Sequence, residues 1–421
     1  MTELKSVEAP APKPAATKER SFRELSASER FDWLAQVGLS RSGRAALEEN
    51  LRAGTGHVID LENHVTYLMM SCGVLPRITV NGVPRVIPMM TEEPSVIAGV
   101  SGGATRAEKY GGFKSTATRL TTSGQVQIIG VAEDQAELLV GKIREETPEL
   151  MKIANSVRQH TKVLAILPKI IQTRTGTQII VDYEADCGDA MGAAAVSYMG
   201  EVMRPKLQEI TGCIASVAIL SNLPLGRVVV CEATFDKESL ASWMPVDGKK
   251  VPMSGEEVAG RIVHLSAWAE ADPFRAVTHN KGIMNGVDAV AAALLQDTRA
   301  IEAGAHAYAA YRGRGRGSGY APLSTFRLNG NGDLVGRLEM PIAVGMVGGA
   351  IETNPVVKAF IEILGCKNAM ELAEICAAVG LAQNLSALRM LASFGITGGQ
   401  ANFGVDMKKR AAEMLRSKND A

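Results

Sequence analysis

The chain has 421 residues with 45 basic and 45 acidic side chains, and a net charge of zero argues against nucleic acid as its partner. Hydrophobic residues make up 46% and aromatics 5%, beside 42 glycines, a balance suited to a soluble α/β or α+β enzyme of two or three domains and not to an all-β module. Six scattered cysteines without a CxxC, no secretory leader and no run of roughly 18 apolar residues predict reduced thiols, a cytoplasmic location and no membrane span.

The opening "MTELKSVEAPAPKPAATKER", residues 1–20, is rich in Pro, Ala and Lys without periodicity and reads as a disordered leader. Next, "SFRELSASERFDWLAQVGLS" places Phe31, Leu34 and Val37 at helical spacing, with Ser26 or Ser28 as the cap. From Gly124 the pattern gives a strand in "QVQIIGV", one long helical run in "DQAELLVGKIREETPELMKIANSV" and two strands turning at Gly176. A helix from "AMGAAAVSYMGEVMRPKLQEI" and a strand in "CIASVAILS" complete it. That order is the ferredoxin-like βαββαβ unit, with edges near Thr122 and Glu232. Around it the sequence is helix-rich, as in "GEEVAGRIVHLSAWAEA" and "AMELAEICAAVGLAQNLSALRMLASFG". The expected architecture is therefore α+β. A large domain (21–122 and 233–400) carries the small one (123–232) as an insertion, and 401–421 form a short tail.

Several stretches carry candidate chemistry. "THNKGIMNG" sets Lys281 among small and carboxamide neighbours, either as a solvated charge at a loop tip or as a functional ammonium; Arg275, His279, Asn280 and Asn285 close by favour function. In "TEEPS", Glu92 and Glu93 precede a proline suited to a helix start, so one glutamate is expected to cap the helix and the other to point elsewhere. "DAMGAAA" opens a helix with small residues that admit a pyrophosphate or ribose near its amides. Close packing on a sheet explains it equally well. "AVGMVGGAIETNP" is a glycine turn, and "YRGRGRGSGY" is a basic cluster (Arg312, Arg314, Arg316) that reads as a surface insertion before it reads as a nucleic-acid segment.

Taken together, "ENHVTYL", "TEEPSVIAG", "DAMGA", "ILSNL", "ADPFRAVTHNKGIMNG", "LLQDTRAIEAGAHAYA", "LEMPIAVGMVGGA" and "GLAQNLSALRMLA" resemble, in order and spacing, the class II, bacterial-type 3-hydroxy-3-methylglutaryl-CoA reductases. The resemblance runs from Glu62 to Gly395. It implies a dimer with sites at the subunit interface, NAD or NADP as cofactor, and interconversion of hydroxymethylglutaryl-CoA with mevalonate and CoA by two hydride transfers. It implies that Lys281 holds the developing oxyanion, that Glu93 passes a proton and that Asp297 tunes the pair. Ser95, Arg275, Asn285 and Gln383 are then substrate contacts, while Asp189, Ala190, Met191, Gly192, Ala193 and Asn222 face the dinucleotide. No metal is implied. A straight helix from Lys281 to Asp297 would separate them by roughly 24 Å, so the chain must break between them.

The chain also departs from the family pattern. Gln400 stands where a histidine protonates the departing thiolate, the flap that follows is shortened or absent, Ala194 replaces an asparagine, and Thr66 closes the "ENHVT" block. These departures motivate an alternative, a catalytically impaired member that binds CoA esters or dinucleotide as a sensor or partner protein.

Overall fold

The computed structural model describes residues 25–36, 39–53, 62–118, 121–157, 160–315 and 319–395. The leader, Val37, Arg316, Gln400 and the tail lie outside them. The chain divides into two compact units, Met1–Met69 and Met70–Ala421.

The first unit holds α1 (Ala27–Gln36) and α2 (Arg41–Ala53). Of the two serines expected to cap α1, Ser26 does so: its Oγ accepts from Glu29 N at 3.4 Å while Glu29 Oε2 accepts from Ser26 N at 2.7 Å, a reciprocal capping box. Thr66 donates to the Leu47 carbonyl at 2.7 Å.

In the second unit the chain runs β1 (Cys72–Val80), β2 (Val83–Met90), α3 (Val96–Ala107), β3 (Phe113–Ala117), β4 (Thr121–Ile129), α4 (Ala136–Glu145) and α5 (Thr147–Asn155). It continues through β5 (Lys162–Thr173), β6 (Gly176–Asp186), α6 (Ala193–Thr211), β7 (Ile214–Leu220), β8 (Val228–Phe235), β9 (Ser242–Val246) and β10 (Lys249–Met253). Then come α7 (Gly255–Ala271), α8 (Pro273–Ala293), α9 (Thr298–Gly313), β11 (Ser324–Leu328), β12 (Leu334–Pro341), α10 (Ala350–Thr353), α11 (Pro355–Leu364) and α12 (Ala369–Ala392).

Strands β5-β6-β4-β7 form a wholly antiparallel sheet in that order, with α4, α5 and α6 packed on it around a core of their own that includes Ile128, Ile143, Val181, Met199 and Leu207. The strand and helix sequence is the βαββαβ order that periodicity predicts. One detail differs: the single long helix becomes α4 and α5, because Pro148 sits in the first turn of α5 and cannot donate back to α4.

The second sheet has the order β11-β12-β8-β3-β1-β2, antiparallel except where β1 meets β3 through the pair Val80 and Phe113. Sequence reading describes this region only as helix-rich. Its clearest strand signal was the Asn81-Gly82 pair, both at positive φ, which joins Val80 to Val83 as a two-residue hairpin turn. Against this sheet lies α12, which also packs on α3, α7 and α8. By length and hydropathy α12 could cross a bilayer, but 72% of its apolar window is buried inside the fold, which accounts for that hydropathy.

Candidate active site

Helix α8 starts where Asp272 accepts from Phe274 N at 2.9 Å and Pro273 takes the first helical position. Residues 278–286 are therefore helix interior, not a loop tip. Two glycines there cost about 1 kcal/mol each in propensity, and packing on α12 offsets it. A Cβ on Gly286 would stand 3.0 Å from the Gln383 Cβ and 3.1 Å from the Val379 carbonyl, so the small residue lets the two helices approach.

The helical period then sorts the neighbours of Lys281. His279 and Asn280 are 1% and 0% exposed. Asn280 donates to the Tyr320 hydroxyl (3.2 Å) and the Ala321 carbonyl (3.1 Å), and accepts from Leu323 N (2.8 Å). Because Ser324 Oγ donates to Asn384 Oδ1 at 2.8 Å, its 2.6 Å bond to His279 Nε2 makes that nitrogen the protonated one. Burial, with Arg275 nearby, pushes the imidazole down to about 3, so it is neutral. These two polar residues stitch α8 to the 320–324 segment that leads into β11 and are not ligand groups.

Lys281, Asn285 and Asp288 repeat at i, i+4 and i+7 on the less buried face. The Lys281 Nζ stands 3.6 Å from Glu93 Oε2, with the side chains 64% and 42% exposed. At that exposure an ion pair contributes about 0–1 kcal/mol, so stability is a weak reason for it. Glu93 comes from the turn between β2 and α3, where its N–H donates to Thr91 Oγ1 at 3.1 Å. Neither glutamate caps α3, contrary to expectation. The cap position belongs to Ser95, held at φ 86° with no side-chain cap bond. A left-handed non-glycine residue is strained by about 1–3 kcal/mol, and such strain gathers at functional sites.

Gln383, 7% exposed on α12, lies against Gly99 of α3 and Gly286 of α8, and its Oε1 accepts no hydrogen bond within the protein. Glu93 and Ser95 at the start of α3, Lys281 and Asn285 on α8 and Gln383 on α12 thus belong to three helices that pack on one another. Asp288, which sequence reading passed over, continues the face. Burial holds its carboxyl well above the ordinary carboxylate range, helped by the hydrogen bond its protonated form donates to the facing Glu302.

Two predicted residues lie elsewhere. Arg275 is six residues before Lys281, turned roughly 120° around α8 and about 9 Å along it; its guanidinium rests over the Trp268 ring at 5.9 Å. Asp297 follows the break between α8 and α9 that the spacing required, with Leu295 at φ 48° in the turn. Its Oδ1 accepts from Ala300 N at 3.1 Å as the cap of α9 and pairs with Arg299 at 3.4 Å. No hydrogen bond or ion pair joins Asp297 to Glu93 or Lys281 within the chain.

The segment Asp189 to Ala193 leads from β6 into α6, whose N-cap is Gly192 at φ 97° without a side-chain cap bond. A Cβ there would meet Cys187 Sγ at 2.4 Å, so glycine is required. Asp189 turns its carboxylate away from this helix start to accept from Ala369 N at 2.9 Å, at the first residue of α12. Asn222 is exposed in the connection from β7 to β8. Among the described residues no trio of His, Cys, Asp or Glu is grouped to hold a metal. A surface depression lined by Arg261, His264, Trp268 and Leu391 contains none of the residues named for the site.

Comparison with known proteins bears on this arrangement. The sequence model of the family described as hydroxymethylglutaryl-coenzyme A reductase matches residues 26–404. A 3-hydroxy-3-methylglutaryl-coenzyme A reductase of Archaeoglobus fulgidus is 37% identical over 389 residues, 90% of this chain and 83% of that protein. A probable enzyme of the same name from Borreliella burgdorferi is 29% identical over 82% of this chain and 76% of its own length. Among solved structures, the class II reductase from Streptococcus pneumoniae bound to NADPH in open conformations is similar at a TM-score of 0.72 and 34% identity, over 88% of each chain.

Proposed function

The chain belongs to the hydroxymethylglutaryl-coenzyme A reductase family, and from that premise we propose that Glu93 and Lys281 carry its chemistry. It is an NAD(P)-dependent oxidoreductase that interconverts 3-hydroxy-3-methylglutaryl-CoA with mevalonate and CoA. The observation that carries the residue assignment is the 3.6 Å approach of the Lys281 ammonium to the Glu93 carboxylate on the less buried face of a helix otherwise packed in the core.

The nicotinamide supplies hydride in each of the two reductions. Lys281 holds the carbonyl oxygen as negative charge develops on it, a fixed cation whose effect grows when bound substrate displaces water from its exposed side. Glu93 delivers the proton that converts the aldehyde oxygen to a hydroxyl. Ser95, Asn285 and Gln383, on the same three helices, orient the hydroxymethylglutaryl group. For the dinucleotide, the start of α6 suits an anion: its first turn is built from Ala193 and Ala194 and has no side-chain cap, leaving amides for a pyrophosphate. The NADPH bound by the pneumococcal relative supports a nicotinamide dinucleotide on Asp189 to Ala193, with Asn222 as a further contact.

Arg275 and Asp297 complete the set from a second copy, so the working form is a homodimer with shared sites. Their positions support this, since one chain keeps both apart from the Glu93 and Lys281 pair. Six unpaired cysteines suit a reducing cytoplasm. The reading is tested by mixing inactive Lys281→Ala chains with inactive Asp297→Asn chains and following cofactor absorbance with hydroxymethylglutaryl-CoA. Recovered turnover is expected; none, or a monomer on gel filtration, overturns the shared site.

A further inference from the structure

Among the described residues Arg227, 1% exposed, is the largest fully buried side chain, and no carboxylate among them hydrogen-bonds or pairs with it. Its Nε donates to Thr122 Oγ1 (3.0 Å), Nη1 to the Val344 carbonyl (3.1 Å), and Nη2 to the carbonyls of Ala190 and Met191 (3.0 Å each). Asp186 and the Cys187 thiol stand near it. A buried guanidinium is costly to desolvate, and a fold that needed only packing would place an apolar side chain here. What this one touches is specific. Two acceptors are backbone carbonyls of the segment that enters α6, and a third belongs to Val344, whose neighbour Gly345 sits so close that a Cβ would stand 2.6 Å from Met191 N. In a trans peptide the carbonyl and the following N–H point opposite ways, so drawing the Met191 carbonyl onto Arg227 turns the Gly192 N–H away from it.

We infer that Arg227 is a positioning residue for the dinucleotide: it sets the backbone of Ala190 to Gly192 so that the amides at the start of α6 face the pyrophosphate, with its own charge behind them. This rests on the reading that Asp189 to Ala193 holds the cofactor. Arg227 acts through the backbone and through charge, never by touching the reacting atoms, so binding of the dinucleotide is affected and binding of the CoA ester is not.

The test uses the full chain in four variants. Arg227→Met keeps the volume without charge or donors, Arg227→Lys keeps charge with fewer donors, Thr122→Val removes one acceptor together with the hydroxyl that donates to the Met191 carbonyl at 3.3 Å, and Ala194→Glu places an acid at the exposed start of α6. Dissociation constants for NADH and NADPH are measured by fluorescence and for hydroxymethylglutaryl-CoA by calorimetry, alongside KM and kcat. Expected is a rise of about tenfold or more in both dinucleotide constants for Arg227→Met, the loss of charge-assisted bonds, a smaller rise for Arg227→Lys and Thr122→Val, and an unchanged CoA ester constant. If Arg227→Met does not fold, Thr122→Val decides alone. Unchanged dinucleotide constants in Thr122→Val and in every folded Arg227 variant, with Ala194→Glu weakened, overturn the role of Arg227. An unaffected Ala194→Glu overturns the segment assignment itself. Equal weakening of dinucleotide and CoA ester makes Arg227 merely structural and also overturns the inference.

Discussion

On one face of α8, His279 and Asn280 are 1% and 0% exposed and bonded into the core; on the next, the Lys281 side chain is 64% exposed and faces Glu93 at 3.6 Å. Three consecutive polar residues thus serve two purposes, and helical geometry separates them. The buried face is where the fold is sensitive to change, because each donor or acceptor left unsatisfied there carries its full desolvation penalty. The exposed Lys281 and Glu93 pair contributes little to stability, so substitution there should be felt in turnover alone.

The largest effect that would sharpen this contrast is at Glu93. Glu93→Gln should lower turnover by about 10² to 10⁴, the span of a positioned acid, while the melting transition stays near that of the wild type because a half-exposed pair is worth about 0–1 kcal/mol. Parallel kinetics and thermal melts check it, and an unchanged rate removes the assigned role. Asn280→Ala should do the reverse. Loss of its three bonds leaves buried partners unsatisfied at about 1–3 kcal/mol, read by urea unfolding, with turnover per folded molecule close to wild type. Lost turnover at full stability would erase the division between the faces.

Stability should also depend on pH through two buried groups, with opposite signs. His279 is depressed on folding to about 3, so the native state binds fewer protons than the unfolded chain below the ordinary imidazole range. Stability therefore falls as pH drops from about 6.5 toward 3, and His279→Gln should flatten that limb. Asp288 is raised on folding, so the native state binds more protons, and its contribution is complete in acid and is lost as pH rises through its folded value. Asp288→Asn, which can still donate to Glu302, should flatten the alkaline side. Unfolding curves across pH that move in the other direction would refute either assignment.

Much of the fold is legible in the residues themselves. Alternation and turn signals mark β4 to β7, and the helical period marks α7 and α12. What is not legible is context. Two glycines and two asparagines make Thr278 to Gly286 read as a loop, because propensity speaks for the isolated segment while the partner helix α12, almost a hundred residues on, decides it. The same reading hides Asp288, which belongs to the Lys281 face only once that stretch is helical. Family resemblance names Asp297 and Arg275 but carries no distances, and the structure gives each a local role as cap and as ring partner. Arg227 has no sequence signal at all. Its importance lies in three backbone carbonyls and a hydroxyl brought from 36 to 117 residues away.

The central claim, that the exposed cation of α8 is chemical and not structural, is tested most directly by Lys281→Ala. Hydroxymethylglutaryl-CoA reduction and thermal unfolding are measured on the same preparation. Alanine is the better helix former and little packing is lost, so the melting transition should hold or rise slightly, while turnover falls about 10² to 10³, as for a removed oxyanion donor. Wild-type turnover in a folded Lys281→Ala protein would contradict the account.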